Sequence, residues 1–202
     1  MSFVRNPINR IVSLYYYIRG RSGGWRATQK ENALKRKKQV AKGTQNYTLQ
    51  ECVLDMYDGK NSVCALSVNL LIRWFCGSHA VVCDPHNITR LSLRRAQHNM
   101  DHMLHFVGIL EHYEHSMCLF RRKFPDFFDM SQTWTHFVQR MRDENKRQKR
   151  DRKKQGYGHY ADPKPSVRTL LATANALDLE LYDWVVQRFR NHVVSNLPLA
   201  CL

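Results

Sequence analysis

Phe3-Val4-Arg5-Asn6-Pro7-Ile8-Asn9-Arg10-Ile11-Val12-Ser13-Leu14-Tyr15-Tyr16-Tyr17 is the stretch on which the reading of this chain turns. Residues 2–5 read as the end of a buried strand. Asn6 and Pro7 then open a helix. Asn can cap it, and Pro suits the first turn because its missing N–H would have no helical partner. Ile8, Ile11, Val12, Tyr15 and Tyr16 follow at helical spacing, an apolar face running to about Arg19. A strand that ends in Arg5 and turns straight into a helix can bind an anion. The N–H groups of the first turn and the helix dipole favour a phosphate there. The Arg5 guanidinium adds a planar fork that matches phosphate oxygens. Ser13, on the polar face with Arg10 and Tyr17, offers a hydroxyl donor. The alternative is that Arg5 pairs with a carboxylate and Ser13 is merely exposed.

Outward from this segment, residues 20–24 break the helix and residues 30–42 form a strongly basic, exposed stretch. Residues 49–56 read as a short helix, and residues 66–75 as a helix or a buried strand. A helix is expected over 88–102, a strand over 105–109, and a helix over 113–124 that stops at Pro125. Residues 141–154 carry a dense basic run, read as a solvated charged segment. One long helix is expected over 166–194. Leu170, Ala174, Leu177, Leu181, Trp184 and Val185 keep its period, and Ser166 caps it. There is no internal repeat.

The chain has 202 residues, enough for one sizeable domain or two small ones. Its 32 Lys and Arg against 17 Asp and Glu give a formal charge of +15. Such an excess implies a polyanionic partner: nucleic acid, an anionic membrane or an acidic polysaccharide. No apolar run is long enough for a membrane-spanning helix, and the residues from Met1 to Pro7 lack the apolar core of a signal peptide. None of the six cysteines forms a C-x-x-C pair, which removes the common structural zinc patterns. Cys52 and Cys64 bracket one short closable loop, and Cys76 and Cys83 another. Asn46-Tyr47-Thr48 and Asn87-Ile88-Thr89 are glycosylation triplets. Together these features lean toward the secretory pathway, and they fit the missing signal sequence if Met1 is not the natural start of the domain. His98, His102 and His105 stand at i, i+4 and i+7, but no carboxylate or thiolate completes a zinc set, so no metal is assigned. The run 146–154 would suit nucleic acid in isolation. No aromatic stacking set or zinc finger accompanies it, and no nucleic-acid partner is assigned.

The 3–17 stretch resembles the 3′-phosphate-binding motif of Golgi carbohydrate sulfotransferases. It is most similar to that of the uronyl 2-O-sulfotransferases, which include heparan sulfate 2-O-sulfotransferase and the dermatan/chondroitin enzyme. The likeness continues through Glu51-Cys52-Val53, Cys64, Phe75-Cys76-Gly77, Cys83, Phe106-Val107-Gly108-Ile109-Leu110-Glu111 and Phe124-Pro125-Asp126-Phe127-Phe128. It ends in Asn175-Ala176-Leu177-Asp178-Leu179-Glu180-Leu181-Tyr182-Asp183-Trp184. Each motif alone is modest; the ordered set is specific.

The resemblance implies an α/β, P-loop-like sulfotransferase fold, a parallel sheet flanked by helices, forming a single partial domain over 1–202. Within it lie a phosphate-binding strand and helix (2–19), a basic substrate segment (20–45), a Cys-loop region (50–90) and the C-terminal helix. The implied reaction moves a sulfuryl group from PAPS, 3′-phosphoadenylyl sulfate, to the 2-O position of a uronic acid in heparan sulfate or a related glycosaminoglycan. Arg5 and Ser13 match the pair that holds the 3′-phosphate, and Lys153 and Lys154 resemble the late loop over the donor. Arg19, Arg26 and the 35–42 basic stretch would hold the polymer. The acidic residue expected just before Arg26 is replaced by Gly23-Gly24, so the choice of uronic acid stays open. Disulfides Cys52–Cys64 and Cys76–Cys83 are implied, with Cys118 and Cys201 unpaired, and Asn46 and Asn87 as glycosylation sites. The family's phosphate loop and catalytic histidine precede the strand that starts here. The histidine base is therefore expected upstream of Met1, and no catalytic residue is assigned within this chain. The expectation is the C-terminal portion of a catalytic domain, residing in the Golgi lumen, its membrane anchor outside this chain, with a homo-oligomer open. The rival readings are a non-enzymatic polyanion-binding module, for nucleic acid or heparin, and a catalytically inactive shortened homologue.

Overall fold

The computed structural model describes residues 2–21, 48–58, 64–65, 68–78, 81–127, 134–154 and 162–196. Its elements run β1 (Ser2–Val4), α1 (Pro7–Arg21), α2 (Leu49–Tyr57), α3 (Leu70–Cys76), α4 (Arg90–Met103), β2 (Val107–Ile109), α5 (Tyr113–Lys123), α6 (Trp134–Lys154), α7 (Pro165–Ala174) and α8 (Ala176–Asn196). Short 3-10 turns follow β2 and α5, at Leu110–His112 and Pro125–Phe127. The chain is thus α/β but mostly helical. The expected parallel sheet is small: β1 and β2 are its two strands among the described residues.

The chain divides into two compact units. The first holds β1, β2, α3, α4, α5, most of α6, and α8. Its strands are parallel, with Ser2 opposite Val107, Phe3 opposite Gly108 and Val4 opposite Ile109. Gly108 is required there: a Cβ at this position would stand 2.6 Å from Cε1 of Phe3. That ring is held between Phe106 and Tyr113, at centroid distances of 6.0 and 5.8 Å. The core gathers Val4 and Ile109 from the strands, Leu71 and Ile72 from α3, Leu93, Ala96 and Met100 from α4, and Leu181, Val185 and Phe189 from α8. The α8 positions advance by four residues each, one helical stripe turned inward. Ser116 of α5, fully buried, closes the end of β2 by accepting from Ile109 N–H and donating to Ile109 O.

The second unit holds most of α1, with α2 and α7. Ile8, Ile11, Val12 and Tyr15 are buried along α1, as its spacing predicts. α2 starts in a capping box: the Thr48 hydroxyl accepts from Glu51 N–H, and the Glu51 carboxylate accepts from Thr48 N–H at 2.6 Å. Those Thr48 hydrogen bonds hold the Glu51 carboxyl below its ordinary value. α2 packs on α7, where the Tyr57 hydroxyl donates to Leu170 O.

Several boundaries differ from the sequence expectation. α1 runs on through Gly20 to Arg21, a single glycine in the last turn being a small cost. Residues 66–75, left open between helix and strand, supply the helix α3. The basic run over 141–154, read as a solvated charged segment, lies in the helix α6, whose Lys, Arg, Gln and Glu are good helix formers free of Gly and Pro. Asp143–Lys146 and Glu144–Arg147 pairs at i,i+3 support it, and Phe137 anchors its first turns under Arg121. The single helix over 166–194 is two, α7 and α8, separated by Asn175, and α7 begins at Pro165, so Ser166 lies inside its first turn. Asn175 is fully buried and turns its Oδ1 toward Asn69 N–H, 3.1 Å away.

Candidate functional site

The strand-to-helix turn is built as the sequence predicts. β1 ends at buried Val4, Arg5 and Asn6 leave the ladder, and Pro7 opens α1. Arg5 is half-buried and makes no ion pair among the described residues. The alternative of a carboxylate partner for Arg5 finds no support there. The described residues start at Ser2, the first residue of β1. Met1 lies outside them, and so does the histidine base expected upstream of Met1.

What the sequence did not reveal is the carboxylate that holds this turn. Glu111, on the 3-10 turn just after β2, accepts from Asn6 N–H through Oε1 at 2.9 Å. Its Oε2 accepts from the Tyr182 hydroxyl of α8 at 3.0 Å. In a parallel pair, β1 and β2 end on the same side, so a residue just past β2 can reach the exit of β1. Glu111 uses that reach to tie the two exits together. A negative charge at the start of α1 also suits the helix dipole. Burial, then the Glu111 charge and its hydrogen bond, push the Tyr182 hydroxyl well above the usual phenol range. Asn6 N–H is therefore engaged and Pro7 has none. At this turn the Arg5 fork is the positively charged group without a carboxylate partner among the described residues.

Ser13 is half-buried in α1, in the second unit, whereas Arg5 is in the first. Arg19 lies within α1, and Lys153 and Lys154 within the last turn of α6 rather than in a loop, but these three side chains are outside the described residues. Arg26, the 35–42 stretch and Asn46 lie wholly outside them. Asn87 is exposed on the loop before α4. Its triplet partner Thr89 is the N-cap of α4, accepting from Ser92 N–H.

Both implied disulfides are present. Cys52–Cys64 spans Cα atoms 5.8 Å apart and Cys76–Cys83 spans 5.6 Å. The expectation for Cys118 is overturned: this buried cysteine of α5 is itself disulfide-bonded, and no described cysteine is free. Cys201 lies outside the described residues. His98 and His102 stack with ring centroids 4.1 Å apart, while His105 is past the end of α4. No group of three or more His, Cys, Asp or Glu among the described residues could hold a metal ion.

A second cluster escaped the sequence reading. Asp178 of α8, fully buried, accepts from Leu71 and Ile72 N–H through its two oxygens, each at 2.9 Å. It caps α3, whose own N-cap residue Asn69 is left-handed (φ 49°) and makes no side-chain cap bond. With Asn175 and Tyr182 it forms a polar series at 175, 178 and 182 on the buried side of this segment. That i, i+3, i+7 spacing was the available signal, since buried polar groups must find partners.

Comparison with known proteins gives three informative relatives. Human uronyl 2-sulfotransferase is 29% identical over 128 residues, 63% of this chain and 29% of the relative. The mouse uronyl 2-sulfotransferase is 28% identical over the same coverage. Human heparan sulfate 2-O-sulfotransferase 1 is 30% identical over 129 residues, 63% of this chain and 32% of the relative. The matched stretch therefore spans about a third of the length of these curated relatives. No family model matches the chain, and no solved structure matches it.

Proposed function

We propose that this chain, similar to the uronyl and heparan sulfate 2-O-sulfotransferases, is part of a PAPS-dependent sulfotransferase acting on the 2-hydroxyl of a uronic acid in a glycosaminoglycan. The observation that carries the donor half of this reading is Arg5. It is a half-buried guanidinium at the exit of a parallel strand, with no carboxylate partner among the described residues. Strand exits at helix starts are where α/β folds place phosphates.

In this reading Arg5 grips the 3′-phosphate of the donor with its planar fork, and Glu111 holds the backbone that presents it. Ser13 adds a hydroxyl to the same phosphate, and Lys153 and Lys154 add positive charge near the nucleotide. PAPS supplies the sulfuryl group, and Arg5 orients it by anchoring the far end of the same molecule. Arg19, Arg26 and the 35–42 stretch hold sulfates and carboxylates of the polymer. The base that takes the acceptor's proton is a histidine upstream of Met1 and is assigned to no residue of this chain. The disulfides and the exposed Asn87 triplet fit a glycoprotein of the Golgi lumen.

The test is calorimetric binding of adenosine 3′,5′-bisphosphate, the donor without its sulfuryl group. Losing a charge-assisted hydrogen bond costs about 1.5–3 kcal/mol, so Arg5→Ala should weaken binding by about 10- to 150-fold. Unchanged affinity in a variant with a parental circular dichroism spectrum removes Arg5 from the site.

A further inference from the structure

The exposed side of α4 carries positive charge that nothing above has used. Arg94, His98 and His102 stand at i, i+4 and i+8, one above the other along the helix, and Arg95 flanks them; all four are exposed. The rings of His98 and His102 stack at 26°. His102 Nδ1 lies 2.9 Å from His98 O. A carbonyl only accepts, so Nδ1 carries the proton and Nε2 is left for an outside partner.

The acidic residues nearest along the element pairs are already committed. Both oxygens of Glu180 accept from Nη1 of Arg90 at 3.1 Å, and Asp101 takes Arg188. Among the described residues, Arg94, Arg95 and His98 form no ion pair with a carboxylate. The stripe runs about 12 Å at ~1.5 Å per residue, a length that suits a linear polymer rather than a single ion. Two exposed apolar side chains bracket it: Leu91, 58% exposed, and Met103, 71% exposed.

The geometry points to this stripe as a docking surface for a sulfated polysaccharide chain, with Arg94 and Arg95 clamping sulfate or carboxylate groups and Leu91 and Met103 meeting the apolar faces of sugar rings. This rests on the functional reading above. Two features favour a polysaccharide over nucleic acid. The disulfides place the protein in an oxidising compartment, and α4 carries no Phe, Tyr or Trp to stack a base. The location is also informative. α4 ends just before β2 begins, so its last turn lies at the starting end of the parallel strands. Arg5 lies at their exit end. The stripe is therefore a second contact for the polymer, one that raises affinity and processive residence without touching the donor.

The test pairs two ligands with two variants. Arg94→Glu/Arg95→Glu, with the milder Arg94→Gln/Arg95→Gln as a check against misfolding, is compared with the parent for binding to a defined heparin oligosaccharide across salt concentrations. Both variants should lose affinity, the charge reversal by about tenfold or more near physiological salt, with a shallower salt dependence. Adenosine 3′,5′-bisphosphate affinity should stay at the parental value. Parental heparin affinity and salt slope in both variants overturn the stripe, whatever the Arg5 result. Loss of heparin binding in these variants beside a parental nucleotide affinity in Arg5→Ala supports the stripe while removing the donor assignment. A duplex DNA bound more tightly than heparin, and lost in the same variants, overturns the choice of polysaccharide.

Discussion

Asp178→Ala is the most informative single perturbation of this fold. The carboxylate is fully buried and each oxygen accepts one N–H at 2.9 Å, from Leu71 and Ile72. Hydrogen bonds to a charged group contribute about 1.5–3 kcal/mol each. Their loss also strands two buried donors, because α3's own N-cap residue, Asn69, makes no side-chain cap bond. The two bonds share one group, so they do not add fully, and the expected loss is about 3–5 kcal/mol. Asp178→Asn keeps one acceptor oxygen but loses the charge and aims an amide N–H₂ at a backbone N–H; about 2–3 kcal/mol is expected. Against a total of about 5–15 kcal/mol, the alanine change removes a large share of the stability. Urea unfolding followed by circular dichroism reads this directly: at about 2 kcal/mol per molar urea, the midpoint falls by about 1.5–2.5 M. The order should be parent, then Asn, then Ala. An Ala variant within about 1 kcal/mol of the parent would falsify the claim that α8 caps α3.

Two further outcomes follow from the same geometry. Gly108→Ala puts a Cβ 2.6 Å from the Phe3 ring, which Phe106 and Tyr113 prevent from swinging away. Overpacking of this kind costs about 1–3 kcal/mol by urea midpoint, and the pair Gly108→Ala/Phe3→Leu should recover part of it; no recovery would place the strain elsewhere. Tyr182 carries a raised hydroxyl pKa, from burial first and Glu111 second. A folded-state value above the unfolded one contributes stability that is present below about pH 10 and lost as pH rises beyond it. Ultraviolet titration should therefore show one tyrosine ionising later than the others, and in Glu111→Gln that tyrosine should ionise at lower pH, closer to the rest. A late tyrosine that persists in Tyr182→Phe refutes the assignment.

The elements were legible where one period dominates. Ile8, Ile11, Val12 and Tyr15 give α1 a single apolar face, and all four are buried. The exit of β1 into α1 needed only Asn6 and Pro7 to be recognised. Legibility failed where charge or polarity hid the element. The 141–154 run reads only as a solvated charged segment, yet it is helical because Lys, Arg, Gln and Glu favour helix regardless of what they face. Asn175 falls inside the long helix expected over 166–194, although its side chain ends one helix and serves the start of another. Pairing between distant segments has no local signature. Nothing near Asn6 announces Glu111, and nothing near Leu71 announces Asp178.

The residues that were hardest to foresee are the ones that hold the turn carrying Arg5. A guanidinium at a strand exit binds phosphate well only if its backbone is fixed before the ligand arrives, since ordering it afterwards consumes binding energy. β1 has three residues and pairs with one neighbour among the described residues, so its ladder alone gives little rigidity. Glu111 supplies the missing constraint by holding Asn6 N–H, and Tyr182 holds Glu111 in turn. Tyr182 is fixed by α8, whose first turn is anchored to α3 through Asp178. The backbone beside Arg5 is thus tied, through Glu111, Tyr182 and α8, to the buried core of the same unit. Each link is a side chain from one segment meeting the backbone or side chain of another. For that reason the ordered motifs of the sequence, and not any one of them, carry the functional signal.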